Sequence, residues 1–213
     1  MPPLQSQAAM SFAAVLLAAG GGSRFRPLPA KTSGMDRGHK LLSSFNGRPL
    51  FLYSLEAALG AGADETAIVW GAVDIRGLLP KGVVALQNPR WQLGLATSLA
   101  MAVDWCRERG HDAVVVGLGD APLIPASAWE AVASSPKPVA VATFSGRPHP
   151  PVRLACEVWG DLDRSGDVGA RSLWAGAAAG VDWVACEGDA TDVDTTTDLA
   201  KLHRAGRWNA QRS

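Results

Sequence analysis

Cysteine is scarce in this chain of 213 residues: Cys106, Cys156 and Cys186 stand far apart and form no C-x-x-C pair. That spacing excludes a disulfide framework and a cysteine-built metal site, and reads as reduced thiols in a cytoplasmic protein. Net charge is lacking as well, because 20 Lys and Arg offset 20 Asp and Glu. The balance points away from nucleic acid and from anionic membranes as partners, leaving only a local basic pocket open. No apolar run approaches the roughly 18 residues of a membrane-spanning helix. Residues 1–11 lack the charged start and apolar stretch of a signal peptide and are expected to form a disordered lead-in. Neither G-x-G-x-x-G nor G-K-[ST] occurs, which argues against a dinucleotide-binding dehydrogenase and a P-loop kinase.

What the chain does have is hydrophobic material, 47% of its residues, enough for one domain with a sizeable core. We expect that domain to span 12–204, followed by a loose tail over 205–213. Strand-like apolar runs alternate with helix-period segments, which predicts an α/β layer fold with a largely parallel sheet. Strands are expected at Phe12 to Ala18, Thr66 to Trp70, Val83 to Leu86, Asp112 to Gly117, Val139 to Thr143 and Val181 to Ala185, with a short one at Val152 to Leu154. Helices are expected at Leu50 to Leu59 with Pro49 in the first turn, Gly94 to Trp105, Ala126 to Ala133, Glu157 to Asp163, Ala170 to Ala178 and Thr197 to His203. Asn46-Gly47 is a strong turn signal. Ser145 to Pro151 reads as a Gly/Pro loop. Phe25 to His39 reads as an exposed basic loop, either a solvated insertion or a lid over phosphates.

The organising stretch is Ala13 to Arg24, a buried strand running into Gly20-Gly21-Gly22-Ser23-Arg24. Glycines allow a sharp turn and close backbone approach to a ligand. Amides freed in such a loop attract anions, and the Arg24 guanidinium adds a fork suited to phosphate. A nucleoside triphosphate site is the functional reading; a flexible strand–helix turn is the plain one. Asp120, just past the predicted central strand, stands where open α/β sheets gather ligands. A carboxylate there suits Mg2+, which takes one or two carboxylates plus phosphate oxygens. Asp194 is a second candidate metal ligand, whereas Asp198 reads as structural, paired with a Thr195 helix cap. Lys40, with Lys31 as competitor, is placed to neutralise phosphate charge. Asn88 either reads a base or sugar edge or merely starts an Asn-Pro turn. Gly94 and Ser98 lie at the next strand–helix junction. His149 is an acid, a ligand-binding group or a loop residue. Asp167 reads as a helix cap, and Arg171 as a contact for an anionic second substrate.

Together these pieces resemble the MobA-like NTP transferase superfamily, and within it the molybdenum cofactor cytidylyltransferase branch. Leu17-Ala18-Ala19-Gly20-Gly21-Gly22-Ser23-Arg24-Phe25 followed by Lys40-Leu41-Leu42 is similar to the family's nucleotide signature. Gly119-Asp120-Ala121-Pro122 resembles its metal-binding turn, and Asn88-Pro89-x-Trp91-x-x-Gly94-x-x-x-Ser98-Leu99 its nucleotide-side motif. His149-Pro150, Gly166-Asp167-x-Gly169-Ala170-Arg171 and Asp192-x-Asp194-Thr195-x-x-Asp198-Leu199 follow in the branch's order. The resemblance covers residues 13–203. It implies a three-layer Rossmann-like fold of the glycosyltransferase-A type with a mostly parallel, mixed sheet. It also implies a phosphorylated acceptor such as molybdopterin that attacks the α-phosphorus of an NTP and releases pyrophosphate. Leu17 to Arg24, Asn88, Gly94, Ser98 and Gly119 would bind nucleotide. Arg24, Lys40 and Asp120 would carry the chemistry. Asp120 and Asp194 would hold Mg2+ (or Mn2+), and His149, Asp167 and Arg171 would face the acceptor. The Ala-Ala-Gly form of the loop favours CTP over GTP. A recipient molybdoenzyme is a partner the resemblance suggests, and a nucleotide-binding chaperone for such an enzyme is the alternative. One departure stands out: fifteen residues, Phe25 to His39, separate the loop arginine from Lys40, where the family has about four.

Overall fold

In a computed structural model the described residues are 10–25, 38–174 and 180–210, with the side chains of 205–210 left aside. The expected lead-in lies almost wholly outside them, as do residues 26–37 of the basic loop, Lys31 among them, and the end of the helix expected at Ala170 to Ala178.

The chain opens with β1 (Phe12–Ala18), then a 3-10 turn at Lys40–Leu42 and a small hairpin of β2 (Ser44–Phe45) and β3 (Arg48–Pro49). Asn46 and Gly47, at φ 46° and 82°, make the hairpin turn that their sequence signals. Pro49 thus ends a strand rather than opening the helix. Next come α1 (Phe51–Leu59), β4 (Glu65–Trp70), β5 (Val84–Gln87), α2 (Leu95–Arg109), β6 (Ala113–Leu118), α3 (Ala126–Ala133) and β7 (Val139–Phe144). The chain closes with β8 (Arg147–Ala155), β9 (Val181–Ala185) and α4 (Thr196–Ala210). The last helix runs longer than Thr197 to His203. The segments expected as helices at Glu157 and Ala170 are 3-10 turns, Cys156–Asp161 and Gly169–Leu173.

Seven strands form one sheet in the order β5-β4-β1-β6-β8-β7-β9. Every neighbouring pair is parallel except those made by β8, which runs antiparallel to both β6 and β7. The fold is the expected α/β architecture with a mixed, mostly parallel sheet. β8 corrects the expected loop at Ser145 to Pro151: the loop is only Ser145-Gly146, at φ 50° and 77°, and the prolines are inside a strand. They fit because Arg147 and Pro148 pair with β7 alone, whereas β6 joins only from Val152 onward. A register shift between Val141 and Thr143 of β7 falls beside them. Proline is tolerated where one side of a strand carries no ladder.

The sequence of β1 shows why the sheet is covered on both faces. Ala13, Ala14, Val15 and Leu16 are all fully buried. Ala14 and Leu16 face one core with Phe51 and Leu55 of α1 and Trp129 of α3. Ala13 and Val15 face the other, with Leu99 and Val103 of α2 and Trp159. Strand side chains alternate between faces, so an unbroken apolar run fits only a strand packed on both sides. Each fully buried large side chain contributes roughly 1.5–3 kcal/mol. A smaller third cluster joins Phe25, Phe45, Leu50, Val193 and Leu202. It fastens the end of the glycine loop, the hairpin and α4 to one another.

Leu16→Ala should lower the unfolding free energy by about 2–5 kcal/mol in urea denaturation, since it leaves a cavity in a packed core. A loss below about 1 kcal/mol would contradict this account of β1 as the centre of both cores.

Candidate active site

The site lies where β1 and β6 end. The Gly119 N–H donates to the Leu17 carbonyl at 2.9 Å, and the Ala72 N–H donates to the Ala19 carbonyl at 3.0 Å. The chain therefore leaves the sheet after Ala19, and Gly20 to Arg24 form the loop. Gly22 sits at φ +60° and its carbonyl accepts from the Phe25 N–H at 2.8 Å, closing the turn. A Cβ on Gly21 would stand 2.8 Å from the Trp91 ring, so glycine is what lets Trp91 pack against the loop.

Asp120 and Asp194 come together although 73 residues separate them in sequence. The link is Val193, which is fully buried in the third cluster and donates its N–H to the Asp120 carbonyl at 2.8 Å. With Val193 pointing inward, its neighbours Asp192 and Asp194 flank Asp120. Lys40 Nζ donates to Asp120 Oδ2 at 2.5 Å and to Asp194 Oδ1 at 2.9 Å. Arg24 Nη1 reaches the other oxygen of Asp194 at 2.9 Å. Burial pulls the Lys40 ammonium down, but the two carboxylates outweigh it and hold its pKa above the ordinary lysine value. Burial is the largest influence on Asp120 and raises its carboxyl; Lys40 opposes that rise and the charge of Asp192 adds to it. Two oxygen donors converging on one cation are the donor set that Mg2+ or Mn2+ accepts beside phosphate oxygens. Among the described residues no group of three or more His, Cys, Asp or Glu makes a complete metal cage, so phosphate oxygens or water would complete the shell.

Two cavities adjoin this cluster. One, of about 340 Å³, is walled by the loop, Lys40, Trp91, Ser98, Asp120 and Asp194. The other, of about 420 Å³, has apolar walls including Leu17, Leu99, Val116, Val152 and Trp174, with His149, Asp167, Arg171 and Asp192 as its polar groups. Leu95 and Asp167 line both. Gly94 shapes the junction: at φ +104° it lets the Gly166 carbonyl come so near that a Cβ would meet it at 2.3 Å. Gly166 then accepts from the Ala96 N–H at 3.0 Å and donates to the Leu93 carbonyl at 3.1 Å. Asp167 Oδ1 accepts from the Leu95 N–H at 3.4 Å. So Asp167 caps α2, a helix earlier in the chain, and not the turn that follows it.

His149 lies between two groups that only accept: Nδ1 is 2.7 Å from the Pro150 carbonyl and Nε2 is 3.1 Å from Asp192 Oδ1. Each contact is a hydrogen bond only when the nitrogen in it carries the proton. Burial lowers its pKa, but the Asp192 hydrogen bond and charge dominate together with the Pro150 carbonyl, and the net direction is up. Asp192 was not among the expected site residues. Its signal was present in the alternation Asp192-Val193-Asp194, which puts both acids on one side of a buried valine.

Other expected residues take different places. Asn88 is buried, its amide donating to Thr97 Oγ1 and Ser98 Oγ at 2.9 Å each while its oxygen accepts from the Arg90 N–H at 2.9 Å. With those bonds it holds the Trp91 turn against α2, as the Asn-Pro turn reading expects. Gly119 is packed against Ala18 and Leu41 between the strands, and Leu17 belongs to the apolar cavity, not to the loop cavity. Thr195 and Asp198 form the expected cap: Thr195 N–H and Oγ1 donate to Asp198 Oδ2 at 3.0 and 2.7 Å, and Asp198 N–H returns to Thr195 Oγ1 at 3.2 Å. The three cysteines are free; Cys106 is buried, and burial pushes its thiol up to about 12. No helix among the described residues is long and apolar enough to cross a membrane.

Comparison with known proteins bears on the family and the fold. The MobA-like NTP transferase domain family matches residues 14–182. The bifunctional protein GlmU of Agrobacterium fabrum (strain C58) is 31% identical over 156 residues, which are 68% of this chain and 31% of that protein. The chain thus spans about a third of that curated relative's length. The crystal structure of Rv0371c from Mycobacterium tuberculosis H37Rv superposes with a TM-score of 0.74 at 23% identity, covering 92% of this chain and 100% of that one. The same protein in complex with manganese gives 0.70 at 22%, with 92% and 100% covered. The inositol-1-phosphate CTP transferase from T. maritima gives 0.70 at 16%, with 93% and 95% covered. At these identities the three structures share the fold.

The carboxylate pair predicts metal binding that needs no nucleotide. Asp120→Asn and Asp194→Asn should each weaken Mn2+ binding, read by electron paramagnetic resonance, by more than the roughly tenfold loss typical of a residue behind a ligand. Asp198→Asn should leave it unchanged. Equal weakening in all three would contradict the assignment.

Proposed function

The chain belongs to the MobA-like NTP transferase domain family, and from that premise we propose that it transfers a nucleoside monophosphate from an NTP to a phosphorylated acceptor. CTP is the favoured donor and molybdopterin the favoured acceptor. The observation that carries the reading is the convergence of Arg24, Lys40, Asp120 and Asp194, from separate parts of the chain, at the mouth of the glycine loop. Binding alone needs the loop. A cation site beside it, adjoining a second cavity, suits a reaction between two bound molecules.

In this reading the amides of Gly20 to Arg24 receive the triphosphate, and Asp120 and Asp194 hold Mg2+. When bound, that ion neutralises phosphate charge and orients the α-phosphate. Lys40, released from the carboxylates, faces the phosphates and stabilises charge that develops on them in the transition state. Arg24, three-quarters exposed, extends the same field toward the leaving group. The acceptor occupies the apolar cavity, its phosphate drawn by Arg171, with His149 beside it. A phosphate oxygen forms a new bond to the α-phosphorus, the bond from that phosphorus to the bridging oxygen breaks, and pyrophosphate departs with the electron pair. Holding both phosphates in line supplies much of the acceleration. The preference for CTP rests on Ala18-Ala19-Gly20, and agrees with the activity named for the T. maritima neighbour. That neighbour's named acceptor, inositol-1-phosphate, is the second candidate here.

A screen of NTPs against phosphorylated acceptors should give pyrophosphate fastest with CTP. Asp120→Ala should reduce kcat by at least about a hundredfold, the scale expected when an electrostatic stabiliser is lost. Absence of turnover with any NTP would defeat the proposal. Nucleotide binding with no effect of Asp120→Ala would favour a nucleotide-binding chaperone for a molybdoenzyme instead.

A further inference from the structure

The geometry points to His39 as the positioning residue that holds the glycine loop in its phosphate-receiving shape, an inference that rests on the nucleotidyl-transfer reading above. The imidazole bridges two segments of the chain. Nε2 lies 3.0 Å from the Gly20 carbonyl, and Nδ1 lies 3.3 Å from the Leu41 N–H. A carbonyl oxygen only accepts and an amide N–H only donates, so one tautomer satisfies both: Nε2–H donates to Gly20 and Nδ1 accepts from Leu41. The ring is neutral in this arrangement. Burial is the main cause that lowers its pKa; the charge of Lys40 acts in the same direction, and the Gly20 carbonyl opposes them. Lys40 is the charged side chain among the described residues that bears on it.

The two bonds do different things. The one from Leu41 caps the 3-10 turn Lys40–Leu42, whose first residue is the lysine that spans the two carboxylates. The one to Gly20 ties that turn to the loop. Gly22 also packs against the same two residues: a Cβ there would stand 3.2 Å from Lys40 Cγ and 3.8 Å from His39 Nε2. The loop therefore rests on His39 and the Lys40 stem. A long interval separates Arg24 from Lys40, so covalent connection alone constrains their relative position weakly. The His39 ring adds a direct tie between the two segments, beside the Arg24–Asp194 pair and the packing of Phe25 in the third cluster. The benefit is preorganisation: loop amides already held by their scaffold lose less freedom when an anion binds.

Two substitutions separate the two bonds. His39→Asn puts an oxygen near the position of Nδ1, keeping the cap but leaving nothing that reaches Gly20. His39→Gln puts an amide N–H near the position of Nε2, keeping the tie to the loop. Inorganic tripolyphosphate, titrated by calorimetry, probes the loop without nucleotide base or acceptor. Wild type should bind it, His39→Asn should bind it about five- to tenfold more weakly, as fits loss of one hydrogen bond, and His39→Gln should stay within about twofold of wild type. In turnover, His39→Asn should raise KM for the NTP by a similar factor with kcat little changed. Thermal unfolding midpoints identify any variant that has lost its fold. If His39→Asn matches wild type, or if wild type does not bind tripolyphosphate, the inference is overturned. If wild type binds tripolyphosphate but releases no pyrophosphate with any NTP, the transfer reading fails, and the comparison of the two variants still decides the role of His39.

Discussion

Two carboxylates, Asp120 and Asp194, share a single ammonium, and the C-terminal edge of the sheet is arranged to make that possible. Like charges held this close in a half-buried place repel unless a cation lies between them. Lys40 supplies that cation, at 2.5 and 2.9 Å. The arrangement is costly in isolation, because an ammonium and two carboxylates all leave water. It persists because apolar packing fixes each contributor independently. Leu41 and Leu42 are buried beside Lys40, Ala121 beside Asp120, and Val193 beside Asp194. A trio of charges that is expensive to assemble and easy to convert to another cation is better suited to receiving a ligand than to stabilising a fold.

The sheet explains why this meeting point lies where it does. β1 has β4 on one side and β6 on the other, so the connections after β1 and β6 diverge and leave a crevice between the strand ends. Open α/β sheets bind ligands at such divergences. The loop after β1 provides glycine amides and Arg24; the turn after β6 provides Asp120. The antiparallel β8 adds the third wall. Its proline-rich start extends past the end of β6 and carries His149 toward Asp192. The loop cavity and the apolar cavity share a border at Leu95 and Asp167.

Much of this was legible in the sequence, for physical reasons. The short, unbroken apolar runs of β1, β4 and β6 favour strands covered on two faces. The Asn46-Gly47 turn and the Thr195–Asp198 cap follow from local chemistry that tertiary contacts did not need to correct. β8 was not legible, because proline normally forbids an inner strand, and only the offset between β6 and β7 makes room for it. Asn88 left two readings open in the sequence, and the one the structure displays is the turn: its oxygen accepts from the Arg90 N–H, while its amide donates to the hydroxyls of Thr97 and Ser98, nine and ten residues on. The choice between Lys31 and Lys40 could not be made from spacing across the long interval. Lys40 reaches both carboxylates, and Lys31 lies outside the described residues. His39 carried no motif at all. Its role depends on the two segments it touches, which the chain alone does not bring together.

The central claim is transfer of the α-phosphoryl unit with its nucleoside, and the position of a label decides it most directly. CTP labelled at the α-phosphate, and separately at the γ-phosphate, would be incubated with Mg2+, the phosphorylated acceptor and the protein, and the products separated. The account predicts that the α label appears in the acceptor and the γ label in pyrophosphate. Recovery of the γ label in the acceptor, or as orthophosphate with the α label left in CDP, would contradict it.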